Sequence, residues 1–149
     1  LWKAERHLDR AEIRALSDAG VTVGSHGWSH RPLTKMSRGE VVEEMRSSQE
    51  ELEQITGNTV KAISYPFGRV NEHIVEIASK AGYEVGLTTS WPGTGQERLA
   101  LGRMLVYGFD TPFSVRQKLG GKLHFIERGK QEIATFLAGG THWYQALRR

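Results

Sequence analysis

Two histidines four positions apart are the residues of this chain best suited to chemistry. His26 and His30 follow residues 21–25, a short run rich in β-branched side chains that predicts a strand. If the chain takes a helical turn after the strand, positions i and i+4 share one face, with Cβ atoms about 5–6 Å apart. Two imidazoles so placed can bind one metal ion, given a third ligand and an open position for water. The alternative is a chance pair, since the chain has six histidines in 149 residues.

The position of the pair at a strand end favours the metal site. α/β folds place their active sites at the C-terminal ends of strands. Zincin metalloproteases share the histidine spacing, but their motif has Glu after the first histidine and lies within a helix. Here Gly27 follows His26 and a strand precedes it, so the sequence excludes a zincin.

Composition limits the class of protein. A length of 149 residues fits one domain, and no window is apolar enough to predict a membrane span. The chain has no cysteine, which excludes disulfides and thiolate metal sites. Residues 103–149 carry 8 basic and 3 acidic side chains, but these are scattered and no nucleic-acid-binding motif accompanies them. We therefore expect a solvated basic surface and no nucleic-acid partner. The charged first residues do not resemble a signal peptide.

Alternating strand and helix patterns predict an α/β protein with a largely parallel sheet. Helices are expected over residues 8–19, 37–57, 71–81 and 111–120, and strands over 21–25, 61–65, 83–89 and 101–107. A complete (β/α) barrel generally needs about 200 residues or more. The chain is therefore either a small open sheet or the later part of a barrel. Residues 121–149 are expected to form a basic, mostly helical C-terminal tail.

Local signals predict the helix ends. Asp9 and Asn71 are expected N-caps, and Ser37 with Glu40 forms an expected capping box. The second helix should end at Gly57. Its predicted buried stripe consists of Val41, Met45, Ser48, Leu52 and Ile55.

Three motifs together resemble the polysaccharide deacetylases, carbohydrate esterase family four. His26-Gly27-Trp28-Ser29-His30 is similar to the family's His-Ser/Thr-x-x-His motif, with Gly27 in place of the hydroxyl residue. Ser64-Tyr65-Pro66-Phe67-Gly68 is similar to its Arg-x-Pro-Tyr/Phe-Gly motif, with Ser64 in place of arginine. Leu101-Gly102-Arg103-Met104 resembles the Leu-x-Arg-Ile element of one branch. The resemblance covers roughly residues 8–120.

The resemblance implies a fold and an activity. The fold would be a distorted (β/α) barrel, present here as an incomplete set of βα units in one partial domain spanning residues 1–149. The activity would be metal-dependent hydrolysis of N-acetyl or O-acetyl groups on a polysaccharide or amino sugar, with zinc as the expected divalent ion. Relatives act mostly on envelope or extracellular glycans, which favours that location.

The resemblance also implies roles for individual residues. His26 and His30 would be metal ligands, and the backbone amide of Phe67 would stabilise the oxyanion. The expected substrate-binding residues are Trp28, Tyr65 and Pro66. Trp28 can equally pack the loop, and a tyrosine in the position of Tyr65 belongs to the core about as often as to a groove.

The chain departs from the family pattern in its acids. The family's first motif is an aspartate pair that supplies the general base and the third metal ligand. Asp9, Asp18 and Asp110 are the aspartates of this chain and none is adjacent to another, so the motif is expected upstream of Leu1. His124 is the one candidate for a catalytic acid, with an ordinary surface or core histidine as the alternative.

The sequence leaves two further interpretations open. The chain can be a non-catalytic, degenerate deacetylase-fold module that binds glycan or assembles with another chain. Missing strands can also leave an open sheet edge, through which copies of the chain would associate.

Overall fold

A computed structural model describes residues 7–89, 98–106, 108 and 110–120. These residues form four helices and three strands. The helices are α1 (Arg10–Asp18), α2 (Arg38–Thr56), α3 (Glu72–Lys80) and α4 (Pro112–Leu119). The strands are β1 (Ala62–Ser64), β2 (Val85–Thr88) and β3 (Leu101–Gly102). Short 3₁₀ turns lie at Leu33–Lys35, Pro66–Gly68 and Arg98–Ala100.

The sheet is parallel, and its spatial order follows the sequence order. Strand β2 lies between β1 and β3 and is parallel to both. Ser25 extends the sheet beyond β1: its N–H donates to the Ala62 carbonyl at 2.9 Å, and its own carbonyl accepts from Ser64 N–H at 2.8 Å. Helix α2 lies between Ser25 and β1 in the chain, and α3 lies between β1 and β2. Sequential parallel neighbours connected by helices are the arrangement of a (β/α) barrel, here present in part.

The predicted strands are shorter in the structure than in the sequence analysis. The segment 21–25 was expected to be a strand, and this is wrong except at Ser25, which makes a single bridge to Ile63. Among the described residues, β1 is the one strand that pairs with this segment. Most of the segment therefore has no partner strand with which to form ladder hydrogen bonds. The strand expected over 101–107 ends at Gly102, because its partner β2 ends at Thr88. Arg103 N–H makes the last bond, to the Thr88 carbonyl at 2.8 Å.

The predicted helix ends are confirmed. The Asp9 side chain caps α1, and Ser37 and Glu40 form the capping box of α2. Asn71 caps α3, accepting from Ile74 N–H. Gly57 ends α2 in the left-handed region at φ +70°, where a residue without Cβ meets no steric penalty.

Helices α2 and α3 pack on one face of the sheet and enclose the core. The most buried apolar side chains are Leu33, Val41, Met45, Val60, Ile63, Tyr65, Ile74, Ile77, Ala78 and Tyr83. Helix α1 contributes little to this core: Ile13 is half-buried and Leu16 is exposed. Among the described residues, no helix has the length and apolarity to cross a membrane. The expected helical tail of 121–149, including His124, lies outside the described residues.

Candidate functional site

The loop that carries the two histidines begins at the C-terminal end of the sheet. Ser25 is buried, its Oγ lies 2.7 Å from the Ser48 Oγ of α2, and the same Oγ accepts from Gly27 N–H at 3.2 Å. Gly27 has φ +78°, and a Cβ on it would lie 3.3 Å from Pro66 Cγ and 3.4 Å from Glu44 Oε2. The tight fit and the left-handed backbone account for glycine where the family motif has a hydroxyl residue.

The loop brings the two imidazoles together. The ring centres of His26 and His30 lie 4.9 Å apart, with their planes inclined by 55°. Both side chains are exposed to solvent. Two imidazoles that bind one tetrahedral ion place their ring centres about 5 Å apart, given metal–nitrogen bonds of about 2.0–2.1 Å. The spacing of this pair therefore suits a shared metal ion.

A backbone contact fixes the tautomer of His26. Its Nδ1 is within hydrogen-bonding contact of the Ser64 carbonyl oxygen at the end of β1. A carbonyl only accepts, so Nδ1 carries the proton and, in the neutral ring, Nε2 keeps its lone pair. Metal-binding histidines in proteins commonly donate their second ring N–H in this way.

The turn after β1 brings Phe67 to the histidine pair. Pro66–Gly68 forms a 3₁₀ turn closed by Gly68 N–H on the Tyr65 carbonyl at 2.9 Å. Phe67 has φ +58°, and its ring centre lies 4.9 Å from that of His30. The turn therefore places the Phe67 ring against His30; the oxyanion role of its N–H stays a prediction.

The expected substrate-binding residues lie in different environments. Trp28 is 59% exposed to solvent and lies between the two histidines in the sequence. Tyr65 is fully buried, and its hydroxyl donates to the Leu99 carbonyl at 2.8 Å. Burial, and then the neighbouring Tyr83, raise the pKa of Tyr65 to about 12. Pro66 is also buried, beneath Gly27. The sequence left open whether Tyr65 belongs to the core or to a groove; the structure places it in the core, and we assign it no contact with substrate.

The acids of the described residues do not complete a metal site. No group of three His, Cys, Asp or Glu side chains that could hold a metal ion occurs in the described part of the chain. Asp110 is engaged elsewhere: its Oδ2 accepts from Lys118 Nζ at 2.6 Å, and both side chains are buried. Its Oδ1 accepts from Ser114 Oγ at 3.2 Å.

Glu44 is the site residue that the sequence analysis missed. It lies on α2 with only 9% of its surface exposed. Its Oε2 accepts from the N–H groups of Trp28 and Ser29, both at 2.9 Å, and its Oε1 accepts from Ser29 Oγ at 2.5 Å. The signal is present in the sequence, because Glu44 lies three residues after Val41 and four before Ser48, within the predicted buried stripe. A charged residue in such a stripe indicates a buried polar partner.

A parallel sheet with a histidine pair at its strand ends defines an α/β protein of the barrel type with a candidate metal centre. The family model described as polysaccharide deacetylase matches residues 2–86. The chain therefore belongs to the polysaccharide deacetylase family, and the fold expected from the resemblance is confirmed.

Individual relatives agree with this assignment. The chain is 30% identical over 89 residues to YxkH of Bacillus subtilis (strain 168), a protein named as a candidate polysaccharide deacetylase; the match covers 60% of this chain and 32% of YxkH. It is 31% identical over 86 residues to PdaC of the same organism, a peptidoglycan-N-acetylmuramic acid deacetylase, covering 58% of this chain and 18% of PdaC. Among solved structures it is similar to BC0361, a polysaccharide deacetylase from Bacillus cereus, with a TM-score of 0.64 and 31% identity over 80% of this chain and 38% of BC0361. The matched region thus spans about a third of YxkH and less of PdaC.

Proposed function

We propose that the protein containing this chain hydrolyses acetyl groups from an N-acetylated glycan, with His26 and His30 as ligands of a divalent metal ion. The observation that carries the proposal is the geometry of the pair: two imidazoles 4.9 Å apart at the strand ends, one held by a backbone carbonyl in the tautomer suited to metal binding. Peptidoglycan is the substrate class named for PdaC, and we propose the same class here.

The chain supplies part of the metal centre. His26 would bind through Nε2, since Nδ1 donates to Ser64, and His30 would bind from the same loop. Zinc is the ion we expect, because two imidazoles and a carboxylate are a common catalytic zinc set. When bound, such an ion lowers the pKa of a water and polarises a carbonyl oxygen. The resemblance implies that the third ligand and the general base come from the family's aspartate pair.

The residues beside the pair suit an acetylated sugar. The N–H of Phe67, in a turn with a fixed left-handed backbone, would donate to the oxyanion that forms when water adds to the acetamide carbonyl. The exposed indole of Trp28 offers a flat apolar surface for a sugar ring.

The test is release of acetate from peptidoglycan fragments by the full-length, zinc-loaded protein. Replacement of either ligand, as His26→Ala or His30→Ala, should lower kcat/KM on the order of 100-fold or more. His73→Ala is the matched control, since His73 is an exposed histidine on α3 next to Arg38 and should leave the rate unchanged. A folded wild-type protein that releases no acetate, with zinc present, would favour the non-catalytic module instead.

A further inference from the structure

The loop between the two histidines has little regular structure of its own, and α2 holds it at both ends. At the start, Ser48 of α2 meets the Ser25 hydroxyl at 2.7 Å. At the other end, one helical turn earlier on the same face, Glu44 accepts three hydrogen bonds from Trp28 and Ser29. A single helix face therefore controls both ends of the segment that carries His26 and His30.

The contacts of Glu44 lie immediately before His30. The N–H groups that it binds belong to the two residues preceding this histidine, and His30 itself has φ +54°. Without these bonds, rotation about the backbone of Trp28 and Ser29 would change the direction of the His30 ring. We propose that Glu44 is a positioning residue that sets the spacing of the His26–His30 pair; this rests on the proposed function, in which the pair binds the metal.

The chemistry of the contact suits positioning. A carboxylate that is nearly buried is costly unless hydrogen bonds replace its water, and here three donors do so. One oxygen accepts two adjacent backbone N–H groups, which restrains the backbone direction more than a single bond would. Outer residues that orient metal ligands typically change metal affinity about 10–100-fold when they are removed.

The experiment measures zinc affinity in the full-length protein by competition with a chromophoric chelator. Glu44→Ala should weaken zinc binding about 10–100-fold. Glu44→Gln should stay within about threefold of wild type, because its carbonyl oxygen can accept both N–H groups and its NH₂ can donate to Ser29 Oγ. Ser29→Ala deletes only the 2.5 Å hydroxyl bond and should weaken zinc binding several-fold, about 3–10-fold. This milder variant serves if Glu44→Ala does not fold.

Two controls separate positioning from general stability. Ile55→Ala removes a buried side chain at the far end of α2 and should lower the melting temperature without changing zinc affinity. Glu43→Gln changes the neighbouring exposed glutamate, which contacts Arg46 and Ser47. This variant should change neither the melting temperature nor the zinc affinity. Loss of stability in Glu44→Ala with unchanged zinc affinity would overturn the inference. If His26→Ala also leaves zinc affinity unchanged, the proposed function fails as well, so the two failures are distinguishable.

Discussion

The imidazole of His30 and the phenyl ring of Phe67 lie 4.9 Å apart, and these are the two residues other than glycine with positive φ in the described part of the chain. Each such conformation costs free energy and persists only where the surroundings enforce it. The two loops that carry these residues follow neighbouring strand positions, Ser25 and β1. Backbone strain is therefore concentrated where the candidate site lies, at the contact between a proposed metal ligand and a proposed oxyanion donor.

Substitution of Phe67 should reveal the strain directly. Phe67→Ala and Phe67→Gly both remove the ring, but only alanine keeps the cost of a left-handed backbone at φ +58°. We expect the glycine variant to have the larger free energy of unfolding, by about 1 kcal/mol, in urea titrations. Val42 on the exposed face of α2 provides the control. There Val42→Ala should be more stable than Val42→Gly by about the same amount, because the backbone is helical. Equal stability of the two Phe67 variants would contradict the assignment of strain.

Gly68 should be the least replaceable glycine of the site. A Cβ on Gly68 would lie 2.2 Å from side-chain atoms of Thr89, and the residue has φ +62°. Gly68→Ala should therefore lower the free energy of unfolding by about 2–4 kcal/mol, from the clash and the backbone conformation together. Gly39→Ala, in the first turn of α2 with open space around it, should instead be neutral or stabilising by up to about 1 kcal/mol. A Gly68→Ala variant as stable as wild type would show that the Thr89 contact relaxes.

Alkaline unfolding should depend on Tyr65. Burial raises its pKa to about 12, above the value of about 10 expected in the unfolded chain. The unfolded state therefore loses its proton first, and the stabilisation is present below pH 10 and lost as the pH rises to 12. The contribution is of order 2 kcal/mol. Tyr65→Phe should show a shallower fall in stability from pH 10 to 12; the remaining fall should come partly from Tyr83, whose pKa burial also raises. If Tyr65→Phe lost as much stability as wild type from pH 10 to 12, ionisation of Tyr65 would not be the cause of the loss.

The sequence predicted the features that depend on local chemistry. The capping box of Ser37 and Glu40 and the cap at Asn71 need only neighbouring residues, and both are confirmed. The extents of the strands were wrong at residues 21–24 and beyond Gly102, because a strand extends only where a partner continues beside it. Tyr65 could not be assigned to core or groove, since the acceptor of its hydroxyl, the Leu99 carbonyl, lies 34 residues away.

Glu44 lies on the buried face of α2, although the apolar stripe alone does not predict a charged residue there. The helical spacing predicts Val41, Met45 and Ser48 for the buried face of α2 but not the glutamate among them, because charged side chains are mostly exposed. Its partners are the backbone N–H groups of a loop 15–16 residues earlier, which periodicity does not reveal. The stripe therefore indicates that Glu44 needs a polar partner, but the structure is needed to show that this partner is the loop of the two histidines.

Breaking the buried ion pair of Lys118 and Asp110 should destabilise the region around α4. Both side chains are only 2% exposed, and Lys118 Nζ donates to Asp110 Oδ2 at 2.6 Å and to the Leu105 carbonyl at 3.0 Å. Lys118→Met removes the cation beside a buried carboxylate, so we expect a loss of about 3–5 kcal/mol in chemical denaturation. The double variant Asp110→Leu, Lys118→Met removes both charges and should lose less than the single one, because desolvating a pair is itself costly. Lys80→Met, which breaks an exposed pair with Glu76, should leave the stability nearly unchanged, because solvent screens such a pair. If the double variant were less stable than Lys118→Met, Asp110 would stabilise the protein through contacts other than Lys118, such as the bond that it accepts from Ser114 Oγ, and the expected cost of burying the pair would be contradicted.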